Sequence, residues 1–460
     1  MRFTMPLQVV ILAAGQGKRM HSHLPKVLHH LAGKPLLEYV IQTALTLEPD
    51  LSPIIIYGCQ GQAIKEAFSH FNLQWIEQKE QLGTGHALSQ ALPLIADTNQ
   101  VIVLLGDVPL VSVATLKKLI HSAPPHAIGI LTAQNAHPVG YGRIKRNQEN
   151  NIIGVIEEKD ATLAERTITE INPGIYLLPG QFLKKYLPLL KNNNAQAEYY
   201  LTDLIAFAAQ EKMPIHSVQV ETVEEILGIN DHVQLAQLER FYQRQLAEKL
   251  MYAGVAIQDP NRLDIRGEAQ IGRDVIIDVN VILEGHVVIG DECIIGANTI
   301  LRNTVLGKRV EVRSHCTIEG AEIASDAVIG PFARIRPGTQ LAEQVHIGNF
   351  VEVKNSAVGE RTKINHLSYI GDSEIGNEVN IGAGTITCNY NGMHKHKTVI
   401  GDRVQVGSDS TLVAPVTIHD DAYIAAATTL RHDVPAGALV FNQRDEQIRE
   451  GWVEKRKNSK

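Results

Sequence analysis

The chain has 460 residues, 44% of them hydrophobic and only 5% aromatic, too long for one ordinary core, which predicts two or three domains. A net charge of −7 excludes a general attraction to nucleic acid or to an anionic membrane, although a local basic pocket could still hold phosphate. Cys59, Cys293, Cys316 and Cys388 form no CxxC pair or zinc spacing, and no apolar run reaches the roughly 18 residues that span a bilayer, so a cytoplasmic protein without disulfides or structural metal is expected.

From Gln8 to about Asn230, β-rich runs (Val9–Leu12, Pro53–Tyr57, Val101–Leu105, Ile152–Ile156) alternate with helix-like stretches such as Leu36–Leu47. This predicts an α/β, Rossmann-like domain with a mostly parallel sheet, whose ligands sit at the carboxyl ends of the strands. At the end of the first run stands Leu12-Ala13-Ala14-Gly15-Gln16-Gly17-Lys18-Arg19-Met20, with glycines that let backbone N–H groups approach a phosphate. The third glycine of a dinucleotide fingerprint and the GK[ST] of a P-loop are absent. Taken alone, the motif reads equally well as a tight turn. Leu105-Gly106-Asp107 sets a carboxylate at another strand end, where an isolated Asp is often a cap for the next turn.

Between His232 and Ala253, Leu235, Leu238, Tyr242, Leu246 and Leu250 recur three and four apart, which predicts one amphipathic helix. It reads as a linker, 233–253, between domains 1–232 and 254–460; the alternative is the last helix of the first domain. Beyond it the period becomes six: Ile271, Ile277, Leu283, Ile289, Ile295 and Leu301, and so on to Leu430, many followed by glycine. A hexapeptide period is the mark of a parallel β-helix with a stacked aliphatic column. The register slips by one at Leu301–Leu306, Ile318–Ile323, Val353–Val358 and Ile370–Ile375, and Cys388–Lys397 reads as a loop ejected from the prism.

Such a fold serves acyltransferases and non-catalytic scaffolds alike. Acyl transfer from a thioester to an amine needs a base, and histidine suits neutral pH. His366 falls between the aliphatic positions, where a lone histidine would usually be a bystander. Arg336 and Lys354, eighteen residues apart, should stack on one face one coil apart, as suits a phosphate.

The GxGxRM loop together with Leu24-Pro25-Lys26 resembles the sugar nucleotidyltransferases. The resemblance implies that Leu12, Ala13, Ala14, Gly15 and Arg19 receive the triphosphate and that Lys26 steadies the α-phosphate. Gln78, Gly83 and Thr84 resemble the uracil-reading loop. Leu105, Gly106 and Asp107 resemble the strand-end carboxylate segment, and Asp107 with Asn230 of Gly228-Ile229-Asn230 would hold Mg²⁺. Gly142, Glu157 and Asn172 match sugar-binding positions; Glu158, next to Glu157, leaves that choice open.

In the second half, His366 matches the family's base, and Arg336, Lys354, Tyr369 and Asn380 match its acceptor site. Gly382 to Tyr390 resembles the acetyl-CoA segment, with the Ala383 N–H set for the oxyanion and Asn389 and Tyr390 beside it. Ser408 and Ala426 extend that site, and at a later arginine position this chain reads Gln443, with Arg444 adjacent. Residues 8 to 455 thus resemble the bacterial bifunctional N-acetylglucosamine-1-phosphate uridylyltransferase/glucosamine-1-phosphate N-acetyltransferases, in which the β-helix is left-handed. The resemblance implies acetylation of glucosamine 1-phosphate by acetyl-CoA and then uridylyl transfer from UTP to N-acetylglucosamine 1-phosphate. It also implies a homotrimer whose subunits share acetyl-CoA sites, with no nucleic-acid or membrane partner. The rivals are a nucleotide-sugar pyrophosphorylase with a non-catalytic, oligomerising β-helix and a trimeric scaffold with decayed sites.

Overall fold

The structure is a computed structural model that describes residues 5–47, 52–58, 61–443 and 446–457. Cys59 and Arg444 lie outside the described residues. The chain divides into two compact units, Met1–Tyr242 and Gln243–Lys460.

In the first unit, strand β1 (Leu7–Ala13) is buried throughout. Its side chains divide by parity: Val9, Ile11 and Ala13 enter one core, Val10 and Leu12 the other. A sheet covered on both faces accounts for so continuous an apolar run. Strands β2 (Ile54–Tyr57), β3 (Gln74–Glu77) and β4 (Gln100–Leu105) complete a parallel array in the order β3-β2-β1-β4. The helix Leu36–Leu47 buries Leu36, Leu37, Val40, Ile41 and Ala44, the stripe its spacing predicts.

Beyond β4 the sheet is mixed rather than mostly parallel. It continues with β5 (Ile128–Gln134), β6 (Gly142–Arg146), β7 (Ile152–Ile156), β8 (Glu170–Asn172) and β9 (Tyr176–Pro179) in the spatial order β4-β9-β5-β8-β6-β7, every pair antiparallel. A further strand, β10 (Ile215–Gln219), lies parallel to β5. The β6–β7 connection shows why: the Asn147 side chain accepts from the N–H groups of Glu149 and Asn151, closing a turn far too short for a parallel crossover.

The helix His232–Tyr252 begins with a reciprocal cap. Asp231 accepts from the Gln234 N–H, and the Gln234 amide oxygen accepts from the Asn230 N–H, both at 2.8 Å, an arrangement akin to a capping box. Leu235, Leu238 and Tyr242 belong to a core cluster of the first unit, and Leu246, Ala247 and Leu250 to the core of the second. The unit boundary therefore falls inside the helix, and its apolar stripe is divided between two cores. Among the described residues no helix is long and apolar enough to cross a membrane.

The second unit is a left-handed parallel β-helix whose strands form an 11-stranded and a 16-stranded sheet. The hexapeptide aliphatics from Ile277 to Leu430 lie in one core cluster, with Ile271 packed against it. Ile277 pairs with Ile295, Ile347 with Ile364 and Ile381 with Val406. A regular coil is thus eighteen residues, a coil with one slip is seventeen, and residues 389–397 leave the prism as a loop. A second interior column, two residues before the first, carries small side chains that the hexapeptide reading overlooks, among them Cys293, Cys316, Ser356, Thr362 and Ser368. The hydroxyls of Ser356, Thr362 and Ser368 donate to backbone carbonyls, as Ser368 does to His366 at 2.8 Å, which satisfies those buried acceptors. The three described cysteines are free.

Each corner turns through a left-handed residue. One column uses Gly285, Asn303, Gly320, Gly338, Asn355 and Asp372, residue types that tolerate positive φ. Another carries bulkier residues: His315, Phe332 (φ 55°), Phe350 (φ 58°) and Leu367 (φ 43°). His315, Phe332 and Phe350 stack ring on ring along it.

Candidate functional sites

The loop after β1 turns at Gly17, where φ is 60° and a Cβ would stand 2.8 Å from that of Lys26; a Cβ on Gly15 would project into open space. Glycine at both positions lets the Lys26 segment close on the loop while the backbone stays open to an anion. Ala13, Ala14, Gly15 and Lys26 line a hollow of about 500 Å³. Lys26 Nζ contacts Asp107 and lies 3.3 Å from Asn230 Oδ1. The Asp107 carbonyl accepts from Ile229 N–H at 2.9 Å, and the cap at Gln234 holds Asn230 from behind. Two hard oxygens thus converge on one cation, the donor chemistry that Mg²⁺ accepts. Among the described residues no group of three or more His, Cys, Asp or Glu could hold a metal, so water and phosphate would supply the remaining ligands.

Asp107 and Asn230 also line a second cleft, of about 380 Å³, with Arg19, Thr84, Leu105, Gly142, Glu157 and Asn172. Glu157 accepts from the Thr202 hydroxyl at 3.0 Å. Burial pushes its carboxyl up, the Thr202 bond pulls it partly back, and the charges of Asp160, Asp203 and Glu198 add to the rise. Glu158 instead pairs at 2.6 Å with Arg143, which is 1% exposed, so of the two adjacent glutamates it is Glu157 that faces the cleft. The Asn172 amide is oriented by Tyr176 Oη at 2.6 Å and the Gly174 N–H at 3.1 Å. Gln78 is buried beneath Gly83, whose carbonyl accepts from its amide at 3.1 Å. Leu12 and Gly106 are tied by a backbone hydrogen bond of 2.9 Å.

In the β-helix, Arg336, Lys354 and Tyr369 share the larger sheet, with Ile335 paired to Val353 and Lys354 to Gly371. The expected stacking of the two cations is present, and each meets a carboxylate: Arg336 pairs with Glu352 at 2.7 Å, Lys354 with Asp372 at 3.2 Å. Asp372 also accepts from Asn355 and from Asn389. Burial opposes its ionisation, but these bonds and the Lys354 ammonium outweigh that and hold its carboxyl below the usual range. Tyr390, next to the buried Asn389, is exposed.

His366 stands at a corner, its Nδ1 3.2 Å from Asn349 Oδ1. Successive coils continue that corner through backbone bonds from Leu367 to Asn349, Gly384 to Leu367, Asp409 to Ala383 and Ala427 to Ser408. His366, Ala383, Ser408 and Ala426 therefore form one column. Among the described residues the Ala383 N–H meets no acceptor. Asn380 is not brought to Arg336, Lys354 and Tyr369: it lies in the other sheet, between Lys363 and Gln405. Gln443 is exposed, directly before undescribed residues.

Residues 9–169 match the MobA-like NTP transferase domain, and residues 264–348 and 321–433 match the GMPPB C-terminal domain. A protein of Cupriavidus pinatubonensis named "Bifunctional protein GlmU" is 49% identical over 454 residues, 99% of this chain and 100% of that protein. The chain belongs to the GlmU family. It is a bifunctional enzyme of UDP-N-acetylglucosamine synthesis with a nucleotidyltransferase domain. A solved nucleotidyl transferase from Methanothermobacter thermautotroptrophicus covers 52% of this chain and 99% of its own length at 19% identity; its TM-score of 0.38 is too low to bear on mechanism.

Within this GlmU chain the sequence reading missed Thr202, Glu352, Asp372 and the capping Gln234. Glu352 and Asp372 had a signal, since Asp372 lies one residue beyond the coil that pairs Lys354 with Gly371 and Glu352 follows Arg336 by nearly one coil. Thr202 had none, because it meets Glu157 from a segment 45 residues away.

Proposed function

We propose that the first unit of this GlmU chain joins UTP to N-acetylglucosamine 1-phosphate with release of pyrophosphate. The observation that carries this reading is the meeting of Lys26, Asp107 and Asn230, the outer two 204 residues apart, where the phosphate-loop hollow adjoins the sugar cleft. The loop backbone at Leu12 to Gly15 and Arg19 bind the triphosphate, and Lys26 orients the α-phosphate for in-line attack. Asp107 and Asn230 would hold Mg²⁺, which supplies neutralisation of charge on the α-phosphate. Gly142, Glu157 and Asn172 fix the sugar hydroxyls and N-acetyl group, and Gln78, Gly83 and Thr84 read the base.

In the second unit, His366 takes the proton from the glucosamine nitrogen as it attacks the acetyl thioester. The Ala383 N–H, one coil away, steadies the oxyanion. Arg336, Lys354 and Tyr369 hold the sugar phosphate; Asn389, Tyr390, Ser408, Ala426 and Gln443 line the path of acetyl-CoA. The position of Asn380 on a different sheet supports a homotrimer in which one copy's Asn380 completes another copy's acceptor site. The setting is cytoplasmic, with small-molecule partners only.

The test is purified full-length protein supplied with UTP, acetyl-CoA and glucosamine 1-phosphate, following free thiol and pyrophosphate. Both should appear. Pyrophosphate from N-acetylglucosamine 1-phosphate, without any thiol from glucosamine 1-phosphate, would instead establish the pyrophosphorylase with a non-catalytic β-helix.

A further inference from the structure

Asp372 turns the corner after Gly371 with φ 50°, and its carboxylate gathers donors from the coil before it and the coil after it. Asn355 Nδ2 stands 2.7 Å from Oδ1, Lys354 Nζ 3.2 Å from Oδ2, and the Asn389 amide contacts Oδ2 as well. The Asp372 side chain is 12% exposed and that of Lys354 17%, and Asn389 is buried. A carboxylate only accepts, so both amides turn their NH2 groups to it. Asn303 and Asn355 occupy the same corner column at positive φ with neutral side chains; the corner itself asks for glycine or a short polar residue and not for a charge. The charge of Asp372 lies where amines collect, since Lys395 of the ejected loop also comes to Lys354. Burial opposes the charge on Lys354, but the bond to Asp372 and its charge outweigh that, with Tyr369 acting in the same direction, and hold its pKa above the ordinary lysine value. Arg336, on the preceding coil, faces Asp372 and Tyr369 too.

We propose that Asp372 is a positioning residue for acetyl transfer, whose single carboxylate holds the Lys354 ammonium and the Asn389 amide in register with each other. The proposal rests on the readings of Lys354 as holder of the acceptor phosphate and of Asn389 as part of the acetyl-CoA path. With one anchor for both, the two groups are in place before either substrate arrives, and neither binding event has to order them. An asparagine at 372 would keep the corner but offer one acceptor oxygen in place of two. Its NH2 would face the NH2 of Asn355 or of Asn389, and Lys354 and Lys395 would lose their counter-charge. Like charges disfavour each other, so Lys354 would then release its proton at lower pH.

The experiment is steady-state acetyl transfer by full-length protein, read as free thiol, with glucosamine 1-phosphate and acetyl-CoA varied in turn from neutral to moderately alkaline pH. It compares wild type, Asp372→Asn, Asn355→Gly and Lys354→Ala. Asp372→Asn should raise both KM values, each on the order of tenfold, with kcat largely retained, because His366 stands at another corner, and with uridylyl transfer unchanged. Its KM for glucosamine 1-phosphate should also climb with pH relative to wild type; the substrate's own ionisations are common to both proteins and cancel in that comparison. Asn355→Gly removes the bond to Asp372 Oδ1 but keeps a residue that accepts the corner, as Gly338 does one coil earlier. It should lower the melting midpoint and leave both KM values near wild type, which separates corner packing from substrate positioning. Both KM values unaltered in Asp372→Asn, or raised equally in Asn355→Gly, overturn the role of Asp372, and a rise in the acceptor KM alone overturns the shared anchor. An acceptor KM unchanged in Lys354→Ala overturns instead the reading of Lys354 as phosphate holder.

Discussion

His366 and Lys354 belong to the same proposed site yet should fail in different ways when replaced. A base acts on the proton in flight, so His366→Ala should lower the acetyl-transfer kcat by on the order of 10²–10⁴ even at saturating substrates. Lys354 holds charge, so Lys354→Ala should chiefly raise the KM for glucosamine 1-phosphate and be relieved in part by more of it. Steady-state kinetics on both variants decide, and full turnover in His366→Ala would require another base. Glu157 yields a prediction with a pH signature. Its folded-state pKa is raised by burial and neighbouring carboxylates, so its contribution to stability is full below the ordinary carboxylate range and is lost as pH rises through the raised value. At neutral pH the ionised side chain therefore costs stability. Glu157→Gln should melt higher than wild type at pH 7, lose that advantage near pH 4, and bind N-acetylglucosamine 1-phosphate more weakly, as stability bought at a binding site tends to do. Thermal melts at the two pH values, with the KM for the sugar phosphate, check it; an equal shift at both pH values would point to packing instead.

At the scale of elements, each coil offers an outward face whose neighbours are set one coil on, and small residues there decide what fits. Gly371 is the clearest case: a Cβ would stand 2.5 Å from Tyr369 Oη and 2.9 Å from Asn389 Nδ2. Its own strand pairing to Lys354 leaves no backbone freedom to retreat. Gly371→Ala should therefore displace Tyr369 and Asn389 and raise the KM for glucosamine 1-phosphate, while the melting midpoint moves little because the added methyl points out of the prism. Steady-state kinetics beside a thermal melt check this; an unaltered KM would mean that Tyr369 lies outside acceptor binding. The hexapeptide column, the one-residue slips and the ejected loop were legible as spacing, because each coil repeats the same burial. The corner residues were not legible: Phe332, Phe350 and Leu367 at positive φ contradict local preference and are imposed by the stacking of coils above and below.

For the whole molecule, the two units have separate cores, and each proposed reaction draws its side chains from one unit of a chain. Asp107→Ala should therefore abolish uridylyl transfer and leave acetyl transfer near the wild-type rate, measured as pyrophosphate and free thiol on the same preparation. Loss of both activities in a folded variant would count against the division of labour.

What the sequence by itself determined is whatever periodicity or adjacency encodes. The α/β first half, the amphipathic helix, the β-helix and the loop motif before Arg19 all follow from burial patterns repeated over short distances. The tertiary structure alone decided which of Glu157 and Glu158 faces the cleft, since only the buried Arg143 separates them. It decided that the sheet is mixed beyond β4, since strand direction depends on connections that apolar runs do not record. It also placed Asn380 on a different sheet from Arg336, Lys354 and Tyr369, because the prism turns two corners, at Asp372 and Glu378, between Tyr369 and Asn380, and a linear motif carries no record of that rotation.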